Sequence, residues 1–242
     1  MTELIPLAEQ TWTLLTTPST ATLATVLAKH GLWNVFITGS KPLSPQLRMV
    51  GQAFTLRYIP AREDLDHNLI FDNLRDPQRI AIERVGPRDI LVIDARGDER
   101  AGTMGSILAT RMKVRGAAGI VTDGCFRDSP AIADLNFPAY ARSPHASTNK
   151  TIHHPVDIQL PVGCGGVAVF PGDILVGDGE GVVVIPRHLA DQIAKEAALQ
   201  EHREDFITEK ISQGASLVGT YPMNEQTAAE YEEYCKKRPK PA

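Results

Sequence analysis

The alternation of apolar and polar positions divides the chain into three unlike stretches. Residues 7–30 carry apolar positions at helical spacing, with Ser19 placed as an N-cap for TATLATVLAKHG and Gly31 as the stop. Residues 46–59, QLRMVGQAFTLRYI, alternate as strands do. Residues 66–84, DHNLIFDNLRDPQRIAIER, read as partly helical and broken at Pro77. VGPRDILVIDARGD (85–98) then predicts a turn, a buried strand ILVID and a polar exit.

The central pattern is an alternation of strand and helix. SILATRMKVR (106–115) is an amphipathic helix opened by GTMG and closed by Gly116, and AAGIVTDG is a short buried strand. SPAIADLN opens another helix, with Ser129 as N-cap and Pro130 at the favoured first position. FPAYAR (137–142) is a further strand, and the succession predicts a parallel α/β segment. After a polar loop at 143–155 the pattern turns to β: QLPVGCGGVAVF and PGDILVGDGEGVVVIP read as strands joined by Pro-Gly-Asp and Asp-Gly turns. A long polar helix is expected over 187–213, followed by GTYPMNEQTAAEYEEYCKK and a Lys/Pro-rich end that frays. One echo, PRDILVID at 87–94 and PGDILVGD at 171–178, indicates a reused turn and strand, not a solenoid.

Composition narrows the classes. The 242 residues are 43% hydrophobic and 22% charged, which suits one large globular domain or two small ones. A net charge of −4 provides no chain-wide basic field for nucleic acid. Three widely spaced cysteines form no CxxC pair and suit a reduced compartment. The start MTELIPLAEQTWTLL lacks a secretory pattern, and no run approaches the roughly 18 apolar residues of a membrane span. A cytoplasmic protein is the expectation.

The candidate chemistry clusters in two short motifs. In GTMG, two glycines between a strand exit and a helix start permit backbone amides to converge on a small anion; glycine at a helix start is also common for local reasons alone. In VTDGCFRD, Arg127 and Asp128 follow a strand end, where α/β sheets build sites. Arg127 suits a carboxylate. Asp128 is free of capping if Ser129 and Pro130 start the helix, and then suits a hard cation such as Mg2+. A local salt bridge, or a helix-dipole partnership for Asp128, is the competing reading. Other residues divide similarly. Cys125 is a nucleophile only with a base nearby, and otherwise a small apolar filler. Lys113 is a Schiff-base lysine or a solvated helix-end cation. His145, His153 and His154 form a zinc set or an ordinary loop. Asp94 and Asp98 support a metal or merely close a turn.

The stretch GTMGSILATRMKVRGAAGIVTDGCFRD, with FPAYAR and PGDILVGDGEGVVVIP downstream, resembles the RraA-like family, which includes the 4-hydroxy-4-methyl-2-oxoglutarate aldolases. The resemblance covers roughly residues 45–215. It implies an α/β fold, a β/β/α sandwich with a central parallel strand–helix segment and C-terminal helices. A single domain over 1–215, including the N-terminal helix, would precede an extension at 216–242. It further implies a class II pyruvate aldolase that cleaves a 4-hydroxy-2-oxo acid through a pyruvate enolate and also decarboxylates oxaloacetate. In that reading Asp128 holds Mg2+ or another divalent ion such as Mn2+, largely through water. Arg127 binds the pyruvoyl end, and amides at Gly102, Thr103, Met104 and Gly105 take the carboxylate. Homotrimers or homohexamers place the site at a subunit boundary, where a C-terminal helix glutamate of the neighbour contributes. Glu204 matches best by its distance from VVVIP and Glu201 next, a solvated helix face being the alternative for both. The chain departs from the family where an acidic residue commonly follows the glycine turn; here stand Ser106 and hydrophobic neighbours. Two other functions fit the resemblance: a non-catalytic regulator that binds a ribonuclease, and a lyase for a sugar-derived 2-oxo-3-deoxy acid.

Overall fold

A computed structural model describes residues 6–66 and 72–241. The expected N-terminal helix is two helices, α1 (Glu9–Leu15) and α2 (Thr20–Lys29). Pro18 interrupts the amide ladder, and Ser19 restarts it from extended backbone, its Oγ accepting the Thr22 N–H at 3.0 Å. β1 (Lys41–Pro42) leads to β2 (Met49–Pro60), a single 12-residue strand. α3 (Glu63–Asp66) and α4 (Pro77–Arg84) follow; part of the helix expected across 66–84, residues 67–71, lies outside the described residues. Pro77 begins α4 instead of breaking a longer helix, with Asp76 capping it by accepting the Gln78 N–H at 2.9 Å.

The middle of the chain is a run of strand–strand–helix units. β3 (Asp89–Asp94), β4 (Gly102–Met104) and α5 (Ser106–Val114) make the first. β5 (Gly119–Thr122), β6 (Cys125–Phe126) and α6 (Ser129–Ala133) make the second, and β7 (Ala139–Ala141) with β8 (Ser143–Pro144) opens a third. The first strands of these units join β2 side by side in parallel, in the order β2-β3-β5-β7. The second strands form their own parallel sheet, β4-β6-β8.

The polar loop expected at 143–155 ends early. β9 (His153–Ile158) pairs antiparallel with the outer half of β2, through a bulge between Arg57 and Tyr58. The inner half of the same β2 edge takes β12 (Ile174–Gly177), which pairs with β13 (Val182–Ile185). A hairpin of β10 (Val162–Cys164) and β11 (Val167–Val169) turns through Gly165 and Gly166, both at positive φ.

The main sheet is buried on both faces, which is why ILVI and VVVI read as continuous apolar runs. Ile90 and Val92 of β3 face the β10–β11 hairpin with Val162, Val167 and Val169. Leu91 and Ile93 face the helical layer, meeting Ala81 and Ile82 of α4 and Ala109 and Met112 of α5. Over β12 and β13 that layer continues as α1, α2 and α7 (Ala190–Ser212). α8 (Glu225–Lys237), within the expected extension, packs Tyr231 on Phe206 and Ile207 of α7. The architecture is thus a β/β/α sandwich with a central parallel segment and C-terminal helices. No helix among the described residues is long and apolar enough to cross a membrane.

Candidate active site

The small parallel sheet brings the two sequence motifs together. β4 and β6 are neighbours, with Gly102 opposite Cys125 and Met104 opposite Phe126. β4 runs through Gly105 into α5, and β6 runs through Arg127 and Asp128 into α6, so both helices start at one edge. The glycines are explained by this crowding. A Cβ on Gly102 would lie 2.7 Å from the Arg127 backbone nitrogen and 2.7 Å from its Cγ, and one on Gly105 would lie 2.7 Å from Asp128 Oδ2.

Asp128 is the strained member. It adopts the left-handed region at φ 55°, ψ 32°, an arrangement that aspartate tolerates better than most residues. Its backbone, not that of Ser129, occupies the N-cap position of α6, while Ser129 Oγ donates to the Phe126 carbonyl at 3.2 Å. The Asp128 side chain ignores α6 and reaches the start of α5, where Oδ2 accepts the Ser106 N–H at 3.2 Å and the Ser106 hydroxyl at 3.3 Å. The positive end of the α5 dipole favours a carboxylate there. Oδ1 takes no hydrogen bond among the described residues.

Arg127 is anchored through its backbone, whose N–H donates to the Met104 carbonyl at 2.8 Å. Among the described residues its guanidinium has no hydrogen bond and no ion pair, and in particular none with Asp128. The charged side chains are therefore not neutralising each other. Both line a cavity of about 160 Å3 together with Gly102 and Gly105. Met104, Ile107 and Leu108 give it an apolar side, and Gln78, Arg79, Thr148 and Asn149 a polar one.

Beneath the polar side lies a buried network. Gln78 Nε2 donates to the Tyr58 hydroxyl at 2.7 Å and to the Thr103 carbonyl at 2.6 Å. Tyr58 donates to the same carbonyl at 3.1 Å, and Asn149 Nδ2 donates to Gln78 Oε1 at 3.2 Å. Burial, above all, pushes the Tyr58 hydroxyl far above the usual phenol range, so it stays a neutral donor. Removing that hydroxyl leaves Gln78 short of an acceptor. Tyr58→Phe is expected to cost about 1–2 kcal/mol, read as a melting temperature lower by roughly 3–6 °C. An unchanged melting temperature would mean the network carries no stability.

The other candidates are placed as follows. The Thr103 side chain is fully buried, donating to the Cys125 carbonyl at 2.9 Å, and does not line the cavity. Glu204 accepts from Thr22 Oγ1 at 3.2 Å and from Gln200 at 2.6 Å, while Glu201 accepts the Ser19 N–H at 3.1 Å. Both therefore sit at the α2–α7 contact, and neither reaches the cavity of its own chain. Lys113 Nζ donates to the Leu135 carbonyl, as a helix-end cation does. The three histidines do not converge. His145 Nδ1 accepts the Ser147 N–H at 3.1 Å, His153 stacks on Tyr58 at 5.4 Å between centroids, and His154 Nδ1 lies 2.9 Å from Asp66. Among the described residues no three His, Cys, Asp or Glu side chains form a metal-holding group. Cys125 is buried, and burial raises its thiol above the usual range, which suits a filler. Asp94 accepts the Arg96 N–H at 2.9 Å, and Asp98 accepts the Arg100 N–H at 3.1 Å, both closing turns. Hydrogen bonding from Arg100 holds the Asp98 carboxyl well below the usual range.

The sequence pattern alone did not single out Gln78, Arg79, Thr148 or Asn149. One signal was available: Gln78 stands with Ala81 and Ile82 on the buried face of α4, where a polar side chain must find partners.

Comparison with known proteins identifies the family and the fold. The model of the RraA-like family (Aldolase/RraA) matches residues 20–184, and the chain belongs to that family. A Halalkalibacterium halodurans protein named "Putative 4-hydroxy-4-methyl-2-oxoglutarate aldolase" is 32% identical over 194 residues, spanning 80% of this chain and 86% of that protein. An uncharacterized protein from Pseudomonas syringae pv. tomato has a similar solved structure, with a TM-score of 0.77 at 27% identity over 90% of this chain and 99% of that one. Streptomyces coelicolor RraAS2, described as an unusual member of the RNase ES inhibitor RraA protein family, superposes with a TM-score of 0.72 at 30% identity, over 87% of this chain and 98% of its own.

Proposed function

We propose that the chain is a divalent-metal-dependent lyase that cleaves a 4-hydroxy-2-oxo acid to pyruvate through its enolate, and that decarboxylates oxaloacetate through the same species. One observation carries this reading: Arg127, whose guanidinium has no polar partner among the described residues, shares a cavity with a carboxylate whose Oδ1 is likewise open among them, beside the N-terminus of α5. A regulator that works through its surface has no use for that arrangement.

The donor set fits a hard cation. Asp128 contributes one open carboxylate oxygen, and Gly105 lacks the Cβ that would crowd it. A site with a single charged oxygen ligand suits Mg2+ or Mn2+ retaining most of its waters. When bound, the cation would act as a Lewis acid toward the 2-oxo group. Arg127 binds and orients the pyruvoyl end, and its charge stabilises oxyanion character at C2. The amides opening α5 favour the substrate carboxylate.

Cleavage breaks the C3–C4 bond. The electron pair passes into the C3–C2–O enolate, the C4 hydroxyl proton passes to a base, and C4 leaves as a carbonyl. Protonation at C3 then yields pyruvate. Among the described residues Asp128 is the only carboxylate lining the cavity. The base is therefore assigned to Glu204 of a neighbouring copy in a homotrimer or homohexamer, an arrangement that rests on the family resemblance. Loss of CO2 from oxaloacetate forms the same enolate without that proton transfer.

The similarity to RraAS2 favours a second reading, a non-catalytic protein that binds a ribonuclease. Pyruvate release separates the two. With 4-hydroxy-4-methyl-2-oxoglutarate or oxaloacetate, the chain is expected to release pyruvate in the presence of Mg2+ or Mn2+. EDTA should lower the rate at least a hundredfold, with recovery on adding the ion back. Release that is indifferent to EDTA would remove the metal from the account, and none above background would favour the regulator.

A further inference from the structure

Asp128 lies on an exposed rim of the cavity, where an aspartate side chain ordinarily samples several rotamers. Here one residue holds it. Oδ2 accepts both the N–H and the hydroxyl of Ser106, at 3.2 and 3.3 Å, and among the described residues the side chain makes no other hydrogen bond. Gly105 completes the seat, since a Cβ there would stand 2.7 Å from Oδ2. With Oδ2 gripped by two donors, turning of the carboxylate about its Cβ–Cγ bond is restrained, and Oδ1 is the oxygen left open.

The fold does not need this grip. α5 starts on its own ladder, the Gly105 carbonyl accepting the Leu108 and Ala109 N–H groups at 3.2 Å each. Ala109 and Met112 then anchor the helix in the core. The Asp128 backbone is held separately, its carbonyl accepting the Ile132 N–H at 3.0 Å in α6. What the Ser106 contact fixes is the direction of a side chain.

We propose that Ser106 is a positioning residue for the divalent ion: it pins one oxygen of Asp128 so that the other meets the ion already oriented. This rests on the metal-dependent lyase reading and deepens it by naming the group that builds the ion's seat. Hydrogen-bond donors to a ligating carboxylate set its orientation, and losing one typically costs about ten- to a hundredfold in metal affinity. The dependence is strong where Asp128 is the only carboxylate lining the cavity among the described residues, because no second one offsets a misplaced first.

The test is the affinity of the full chain for Mn2+, read from the electron paramagnetic resonance signal of the free ion, so that neither substrate nor turnover enters. Wild type should bind Mn2+, and Asp128→Asn should not. Ser106→Ala keeps the N–H and loses the hydroxyl. Its dissociation constant should rise about tenfold, with the melting temperature in EDTA unaltered. Ser106→Thr returns a hydroxyl to the same position and should restore the affinity. A rise below threefold in Ser106→Ala, a loss that Ser106→Thr does not restore, or a lower melting temperature in the metal-free alanine variant overturns the inference and leaves the lyase reading standing. Wild type that binds Mn2+ no better than Asp128→Asn overturns both the inference and the metal in that reading.

Discussion

Replacing Arg127 by alanine is expected to lower pyruvate release by about a thousandfold, near 4 kcal/mol of transition-state stabilisation, while leaving the melting temperature within a degree or two of wild type. The two halves of that result have separate causes. Among the described residues the guanidinium touches no partner, so its loss breaks no contact that holds the fold. What is lost is a cation aimed at the oxygen on which enolate charge develops. Arg127→Lys should recover only part of the activity, since a point charge replaces a planar fork. Steady-state kinetics alongside thermal melts check both halves. A large fall in melting temperature would make Arg127 structural, and wild-type kinetics in Arg127→Ala would remove it from the site.

The second large effect is expected at the two glycines, where alanine should do different damage at each. At Gly102 the new Cβ meets the Arg127 backbone nitrogen at 2.7 Å, a group fixed by the β4–β6 ladder. Relief requires the small sheet to spread, so Gly102→Ala should cost about 1–3 kcal/mol of stability as well as activity. At Gly105 the clash is with Asp128 Oδ2, at the end of a rotatable side chain. Gly105→Ala should keep nearly all its stability but displace the carboxylate. A displacement on the order of an ångström can cost about a hundredfold in rate. Melts and kinetics on the pair separate the cases, and equal effects of the two substitutions would contradict this geometry.

These glycines also mark how far the sequence could be read. The two motifs were legible one at a time, GTMG as a helix start and VTDGCFRD as a strand end. Their meeting is a tertiary fact, set by β4 and β6 pairing in a second parallel sheet that strands of two and three residues could not announce. Ser129 looked like the N-cap because Ser-Pro is a strong helix start. The backbone instead uses Asp128 in the left-handed region, which frees its carboxylate to cap a helix distant in sequence. The main-sheet strands were legible because burial on both faces writes apolar runs. β9 was not, since HHPVDI alternates weakly and pairs only because β2 outruns β12. The polar wall formed by Gln78, Arg79, Thr148 and Asn149 comes from a helix and a loop that the fold alone juxtaposes.

The central claim is that this cavity makes and holds the enolate of pyruvate, whatever the natural substrate. Proton exchange on pyruvate tests it without knowing that substrate. In D2O, with Mg2+ or Mn2+ present, the chain should exchange the methyl protons of pyruvate for deuterium, seen as loss of the methyl proton signal. EDTA and Arg127→Ala should each return the rate to background. Methyl exchange no faster than in protein-free buffer, with the metal supplied and the chain folded, would contradict the account.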